Sequence, residues 1–247
     1  MPFDIESVRE RFPSRDIAWF ESVDSTMREA ALRPIGSVVV ADEQTAGIGR
    51  QGHAWHSEKR AGLYVSVVLS AVSPVLTLAL GLAASEALAR AANLRCDLRW
   101  PNDLMCGPRK LGGILVQLNE QLNNRVAVAG IGLNVNHAVF PVELAAIATS
   151  VRIETGRAHS RERLLIALLG TIESFTAMLL SGGARPIIEQ FTKCSSYARG
   201  KRVTVEQGGE THTGVTAGLD PSGYLILRKD DGSRTLVLAG GVRPAQD

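Results

Sequence analysis

Three stretches of this sequence carry residue types that could bind and activate an anion. The first is the loop Gly47-Ile48-Gly49-Arg50-Gln51-Gly52. It reads as GxGxxG, but Gly52 leads into His53-Ala54-Trp55-His56 and then a strand. A dinucleotide fingerprint needs its last glycine to open a helix whose N-terminus receives the pyrophosphate, so that reading fails. What remains is a backbone able to approach an anion, N–H groups to donate, and one permanent cation, Arg50. The second stretch is Arg99-Trp100-Pro101-Asn102-Asp103-Leu104, followed by Arg109-Lys110-Leu111-Gly112-Gly113-Ile114-Leu115. Lys110 stands at the start of a strand that is uncharged through Leu118, so its ammonium either snorkels to water or faces an anion. Gly112-Gly113 beside it suggests close approach of a ligand or of another backbone segment. Pro101-Asn102-Asp103 makes a turn whose amide and carboxylate suit a ribose, a metal-bound phosphate or simply the turn itself. The third stretch is Ala129-Gly130-Ile131-Gly132-Leu133-Asn134-Val135-Asn136. Its strand loses side chains at alternating positions, so a flat ligand or a tightly crossing helix must pack against bare backbone.

Other chemistries find little support. GxSxG and GxxxxGK[ST] do not occur, which argues against a serine nucleophile elbow and a P-loop. Asp42 and Glu43 are adjacent on a strand and point to opposite faces, so they do not form a shared-proton dyad. His53 and His56 stand three apart but have no third ligand of matching character nearby in sequence, and no metal site is expected. Cys96, Cys106 and Cys194 are too scattered for a disulfide framework, which points to a reducing cytoplasm.

The elements that must position these residues follow from periodicity. A short amphipathic helix is expected over Asp4–Phe12, then a strand over Ile17–Glu21. Asp24 or Ser25 should cap a helix with Met27, Ala30 and Ala31 on its apolar face. Strands are expected at Ser37–Ala41 and Leu63–Leu69, and a buried Leu/Ala helix at Val75–Ala92. Strands Leu111–Leu118 and Arg125–Leu133 should form an antiparallel hairpin turning at Asn123-Asn124. Helices at Arg161–Leu180 and Arg185–Tyr197 come next. From Lys201 the runs Arg202–Glu206, Gly214–Leu219, Tyr224–Arg228 and Thr235–Ala239, separated by Gly and Pro turns, suggest a small barrel. A boundary near residues 198–200 divides the 247 residues into 1–198 and 199–247. A net charge of +2 gives no overall electrostatic case for nucleic acid or a membrane surface. The uncharged stretch Ala61–Ser85 is long enough to span a bilayer, but its serines, glycines and Ser73-Pro74 favour a buried strand followed by a buried helix. The amino terminus lacks an apolar signal segment.

Taken in order, Val23-Asp24-Ser25-Thr26, Glu43-Gln44-Thr45-Ala46-Gly47 through Trp55, Arg99-Trp100-Pro101-Asn102-Asp103-Leu104, Lys110-Leu111-Gly112-Gly113-Ile114-Leu115 and Gly130-Ile131-Gly132-Leu133-Asn134 closely resemble the biotin protein ligases. That resemblance implies an α+β fold: a class II aminoacyl-tRNA synthetase-like catalytic domain, with a mixed, largely antiparallel sheet flanked by helices, and a C-terminal SH3-like β-barrel. It implies an ATP-dependent enzyme. Biotin's carboxylate attacks the α-phosphate of ATP, giving biotinyl-5'-AMP and pyrophosphate, and a lysine of the biotin carboxyl carrier protein then takes the acyl group. ATP and Mg2+ are the implied cofactors, and biotin is the substrate. Lys110 and Arg50 would be catalytic. Biotin would be held by Ser25, Thr26, Met27, Gln44, Ile48, Gly49, Arg50, Lys110 and Gly113, with the ureido ring on Ser25, Thr26 and Gln44. ATP would be held by Gly47, Trp55, Asn102, Asp103 and Asn134, with Trp55 covering the adenine.

The sequence departs from the family pattern GRGRxGRxW at Ile48 and His53, leaving one loop cation where relatives carry three. Ile48 is still expected to line the site through its backbone N–H. Met27 stands where many relatives have Asn. Repressor-type members carry a winged helix-turn-helix ahead of the Asp-Ser-Thr motif, whereas 23 residues precede Asp24, so no DNA binding is expected. A cytoplasmic protein without a membrane partner is implied, and an exposed sheet edge leaves a homodimer open. The alternatives are a lipoate protein ligase, opposed by the WPNDL and KLGGIL strings, and a non-catalytic sensor, opposed by the retention of Arg50 and Lys110.

Overall fold

The computed structural model describes residues 3–121 and 124–245, which build two sheets. The first part of the chain runs α1 (Ile5–Arg11), β1 (Ile17–Phe20), α2 (Thr26–Ala31), β2 (Val38–Ala41), β3 (Gly62–Leu69), α3 (Leu76–Ala92), β4 (Asp97–Arg99), β5 (Asp103–Cys106), β6 (Arg109–Gln121) and β7 (Asn124–Asn134). Helices α4 (Val142–Ala145), α5 (Val151–Thr155), α6 (Arg161–Gly182) and α7 (Ala184–Cys194) follow. The chain ends in β8 (Arg199–Gln207), β9 (Glu210–Leu219), β10 (Leu225–Arg228), β11 (Arg234–Val237) and β12 (Val242–Pro244).

The larger sheet has the order β1-β2-β3-β7-β6-β5-β4. Only β1 and β2 are parallel, so the expected mixed, largely antiparallel sheet is present. β6 and β7 pair from Gly112↔Leu133 to Gln121↔Asn124, the antiparallel hairpin read from the sequence, although Asn123 of its turn lies outside the described residues. Two strands were not foreseen. β4 and β5 are three and four residues long and carry Asp97, Arg99 and Asp103, too short and too polar to show a period of two.

The faces of β7 explain where a site can form. Successive side chains on a strand point to opposite faces. Ala127, Ala129, Ile131 and Leu133 join the main core with α3, α6 and α7, while Val126 and Val128 pack with Met27 and Ala30 of α2. Continuing that second alternation places Gly130 and Gly132 on the α2 side, next to Ser66 and Tyr64 of β3, their register partners. Strand β7 therefore changes from a packed apolar surface to bare backbone partway along one face.

The other face holds the framework rigid. Helix α3 lies between the sheet and α6, and Leu80, Leu88, Leu164, Leu165, Leu168 and Leu169 are buried there. Each such leucine contributes about 1.5–3 kcal/mol of burial. Helix α6 is long and apolar enough to cross a membrane by length and composition, but these core leucines are what make it so. At its first turn Arg161 Nη1 meets Asp42 Oδ1 at 2.7 Å, and both side chains are almost wholly buried. That ion pair ties the end of β2 to α6.

The second sheet is antiparallel, in the order β11-β10-β9-β8-β12, and buries Val203, Val205, Leu225, Leu227, Val237 and Val242. The expected last strand, Thr235–Ala239, is displaced to Arg234–Val237, and β12 adds a further strand against β8. The Trp100 indole N–H donates to the Gly223 carbonyl at 2.9 Å, linking the turn before β5 to this sheet.

Candidate active site

The bare backbone of β7 is covered by two side chains. A Cβ at Gly130 would stand 2.7 Å from Met27 Sδ, and one at Gly132 would stand 2.5 Å from Trp55 Cε2. The packing partner anticipated from the glycines is thus partly helix α2, through Met27, and partly the loop residue Trp55. Met27 and Trp55 both line a cavity that opens to solvent.

One end of the cavity is polar and uncharged. The structure overturns the expected cap of α2: neither Asp24 nor Ser25 accepts from its first turn. The Thr26 N–H donates instead to Gln44 Oε1 at 2.9 Å, and Thr26 Oγ1 lies 3.1 Å from the same oxygen. Gln44 Nε2 donates to Ser57 Oγ at 3.1 Å, and Thr26 Oγ1 is 2.8 Å from Ser66 Oγ. Asp24 turns outward to Arg28. Released from capping, Ser25 Oγ is buried without a hydrogen-bond partner among the described residues. A hydroxyl left so costs roughly 1–3 kcal/mol, which a polar ligand atom would recover.

The other end is cationic. Lys110 Nζ is 2.6 Å from Asp103 Oδ1, and Arg99 Nη2 is 2.6 Å from Asp103 Oδ2. Arg50 Nη1 donates to Asn102 Oδ1 at 3.1 Å and to the Gly240 carbonyl at 3.2 Å. Two cations, Lys110 and Arg99, thus share one carboxylate, and Arg50 stands within reach of its charge. Burial lowers the pKa of the Arg50 guanidinium, opposed by the charge of Asp103. Lys110 Nζ also lies 5.4 Å from the centre of the Trp55 ring. Since Ser66 is on β3 and Gly113 on β6, the polar and cationic ends stand two strand spacings apart, about 10 Å.

The glycine loop is not the open cradle of donors that its sequence suggested. It folds on itself as a small hairpin, with an Ile48↔Ala54 bridge. The Gly49 N–H donates to the His53 carbonyl at 2.7 Å, and the Trp55 N–H to the Gly47 carbonyl at 2.9 Å. The Gly49 donor is therefore engaged within the loop. Ile48, Gly49 and Arg50 nevertheless form one wall of the cavity.

All nine residues expected to hold the acid line this cavity, together with Trp55 and Asn102. Gly113 leaves room for Lys110 and Trp55, each 3.2 Å from where its Cβ would be. Gly47 is buried behind the wall, where a Cβ would strike the Trp55 carbonyl at 2.7 Å. Asp103 acts through its two ion pairs. Asn134 lines a wider neighbouring groove, and its amide donates to the Thr149 carbonyl at 3.0 Å. Gln44, Trp55 and Lys110 border both the cavity and that groove, so two ligands could meet at Lys110. Sequence reasoning missed Ser66, the one polar residue besides Tyr64 in the apolar run Leu63–Leu69, and the reach of Gly240 from the second sheet.

A cavity floored on sheet glycines, neutral and polar at one end, cationic at the other and open beside the cations to a second binding groove, defines an enzyme that activates a small carboxylic acid. Comparison with known proteins agrees. The Biotin/lipoate A/B protein ligase family matches residues 19–136, and the Biotin protein ligase C terminal domain matches residues 199–242. The chain is 32% identical over 261 residues to the biotin--[acetyl-CoA-carboxylase] ligase of Mycobacterium tuberculosis, covering 97% of this chain and 94% of that one. It is 31% identical over 228 residues to the bifunctional ligase/repressor BirA of Bacillus subtilis, covering 88% and 70%. The biotin protein ligase of Aquifex aeolicus in complex with biotin and ATP superposes with a TM-score of 0.83 at 29% identity, covering 92% and 97%. The chain belongs to the biotin protein ligase family, with its class II synthetase-like catalytic fold and C-terminal β domain.

Proposed function

We propose that the cavity binds biotin and that Lys110 and Arg50 drive its adenylation by ATP, before transfer to a lysine of a biotin carboxyl carrier protein. In the first step a biotin carboxylate oxygen attacks the α-phosphorus and the bond to pyrophosphate breaks. In the second, the carrier amine attacks the acyl carbon and AMP leaves. The observation that carries this reading is the pairing, inside one cavity, of a buried Ser25 hydroxyl, unpartnered among the described residues, with a cationic cluster about 10 Å away.

Ser25, Thr26 and Gln44 would hold the ureido ring, with Met27 and Ile48 against the apolar middle. Two anions must approach while charge grows on phosphorus, so fixed cations in a partly buried site are the main requirement. Lys110, at the junction of cavity and groove, would bridge the carboxylate and the α-phosphate. Arg50 would grip the phosphate from the loop. Trp55 would bound the nucleotide, with Asn102 and Asn134 toward its phosphates. Both oxygens of Asp103 are already engaged by Lys110 and Arg99, so magnesium would arrive with the phosphates of ATP as part of that substrate.

The division into a catalytic domain, 1–198, and a barrel, 199–247, is supported by the separate second sheet. That sheet reaches the site through the Arg50–Gly240 hydrogen bond. ATP and a carboxylase carrier as substrates support a cytoplasmic setting. The test is to incubate the protein with biotin and magnesium ATP, desalt it, and identify the retained ligand by mass spectrometry. Biotinyl-5'-AMP supports the reading, and recovery of unreacted biotin and ATP alone contradicts it.

A further inference from the structure

Along one edge of the outer groove stands a group of three side chains with metal-binding chemistry that the adenylation steps do not use. His56 and Glu58 follow Trp55 in the chain, and His137 lies in the turn after β7. One donor atom from each falls within 4.8 Å of the other two. His56 and Glu58 are exposed and line the groove, whereas His137 is fully buried. The His137 ring is fixed from two directions. It stacks on Phe140 with centroids 4.9 Å apart and planes 13° from parallel, and its Nε2 is 3.5 Å from the Tyr64 hydroxyl. Tyr64 is in turn anchored by donating to the Glu58 carbonyl at 3.0 Å. The remaining ring nitrogen, His137 Nδ1, is buried with no hydrogen-bond partner among the described residues. Buried polar atoms are nearly always satisfied, so an orphaned nitrogen on this imidazole, whose ring centre lies 6.1 Å from that of His56, requires an explanation.

We propose that His56, Glu58 and His137 form a binding site for a first-row divalent cation of the zinc class. Two imidazoles and one carboxylate are a donor set that zinc takes with water in the remaining position. Zinc bonds of about 2.0–2.2 Å require donors closer together than they now stand. The buried His137 is the fixed anchor, and the exposed side chains of His56 and Glu58 close onto it by rotation. The ion ties the segment after Trp55 to the turn after β7, and it narrows one edge of the groove. His53 and His56 have no third ligand of matching character nearby in sequence, so no metal site was expected there; the partner that completes the site comes from 81 positions beyond His56, His137.

This site stands independently of the adenylation reading, because metal binding itself is the readout. Full-length protein stripped by chelator is titrated with Co2+ and then challenged with Zn2+. One equivalent of Co2+ should produce visible d–d absorption without a thiolate charge-transfer band, and Zn2+ should abolish it. His56→Ala and Glu58→Ala, both at exposed positions, should each weaken binding at least about 10-fold, the scale on which even outer-shell partners of a metal count. His53→Ala should leave it unchanged. No absorption at one equivalent, a thiolate band, or equal affinity in the parent and His56→Ala would overturn the assignment.

Discussion

The Trp55 indole lies against the bare backbone of Gly132: a Cβ there would stand 2.5 Å from Cε2 and 2.6 Å from Nε1. Trp55 and Gly132 are thus a matched pair, one supplying the aromatic wall and the other the space for it. Gly132→Ala should displace the ring and cost about 1–3 kcal/mol in stability, as overpacking does. Its larger effect should be a raised KM for ATP, measured by pyrophosphate release across ATP concentrations. A KM equal to that of the parent would mean that Trp55 does not bound the nucleotide.

Lys110 gives the most direct loss of function. Lys110→Ala removes the cation that borders both cavities and leaves Asp103 paired with Arg99. Adenylate formation should fall about 100- to 1000-fold, the scale of removing one preorganised charge-stabilising donor. Circular dichroism should show an unchanged fold. A variant that still adenylates within a few-fold of the parent would remove Lys110 from the reaction.

Arg50 sits on the loop and bonds both Asn102 and the Gly240 carbonyl. Arg50→Gly should let biotinyl-5'-AMP escape before transfer, detected as biotin on added bystander proteins. Ile48 and His53 leave the loop no second permanent cation to compensate. Bystander labelling no higher than with the parent would refute the grip.

How much of this was legible in the sequence divides by distance along the chain. Arg50 and Lys110 could be named because each lies in a local string with a chemical reason, whereas Ser25 and Thr26 entered through the family resemblance. What each touches was not legible. The first-turn N–H of α2 is satisfied by Gln44, 18 residues on, rather than by the local Asp24 or Ser25. Asp103 read as a turn residue, yet the strand it opens is too short to show alternation, and its neighbours Lys110 and Arg99 are reached across paired strands. Gly130 and Gly132 correctly announced that something packs on bare backbone. Only the alternation of β7 in three dimensions shows it to be Met27 and Trp55. Donors in the glycine loop were overestimated, because its N–H groups could bond within the loop as easily as to a ligand.

The cysteines test the packing independently of the chemistry. Burial pushes the Cys96 thiol up to about 11 and the Cys106 thiol up to about 12, while Cys194 is exposed. Only the thiolate is nucleophilic. Iodoacetamide at pH 8 should therefore add one group to the native protein, at Cys194, and three after denaturation. Native labelling at Cys96 or Cys106 would contradict the packing around β4 and β5.

The measurement that bears most directly on the account is pyrophosphate release from magnesium ATP with biotin, and separately with lipoate, each with its matching apo carrier domain. The account predicts release with biotin accompanied by one biotin on the carrier lysine, and no release with lipoate. Release with lipoate alone, or binding of biotin without any release, would contradict it.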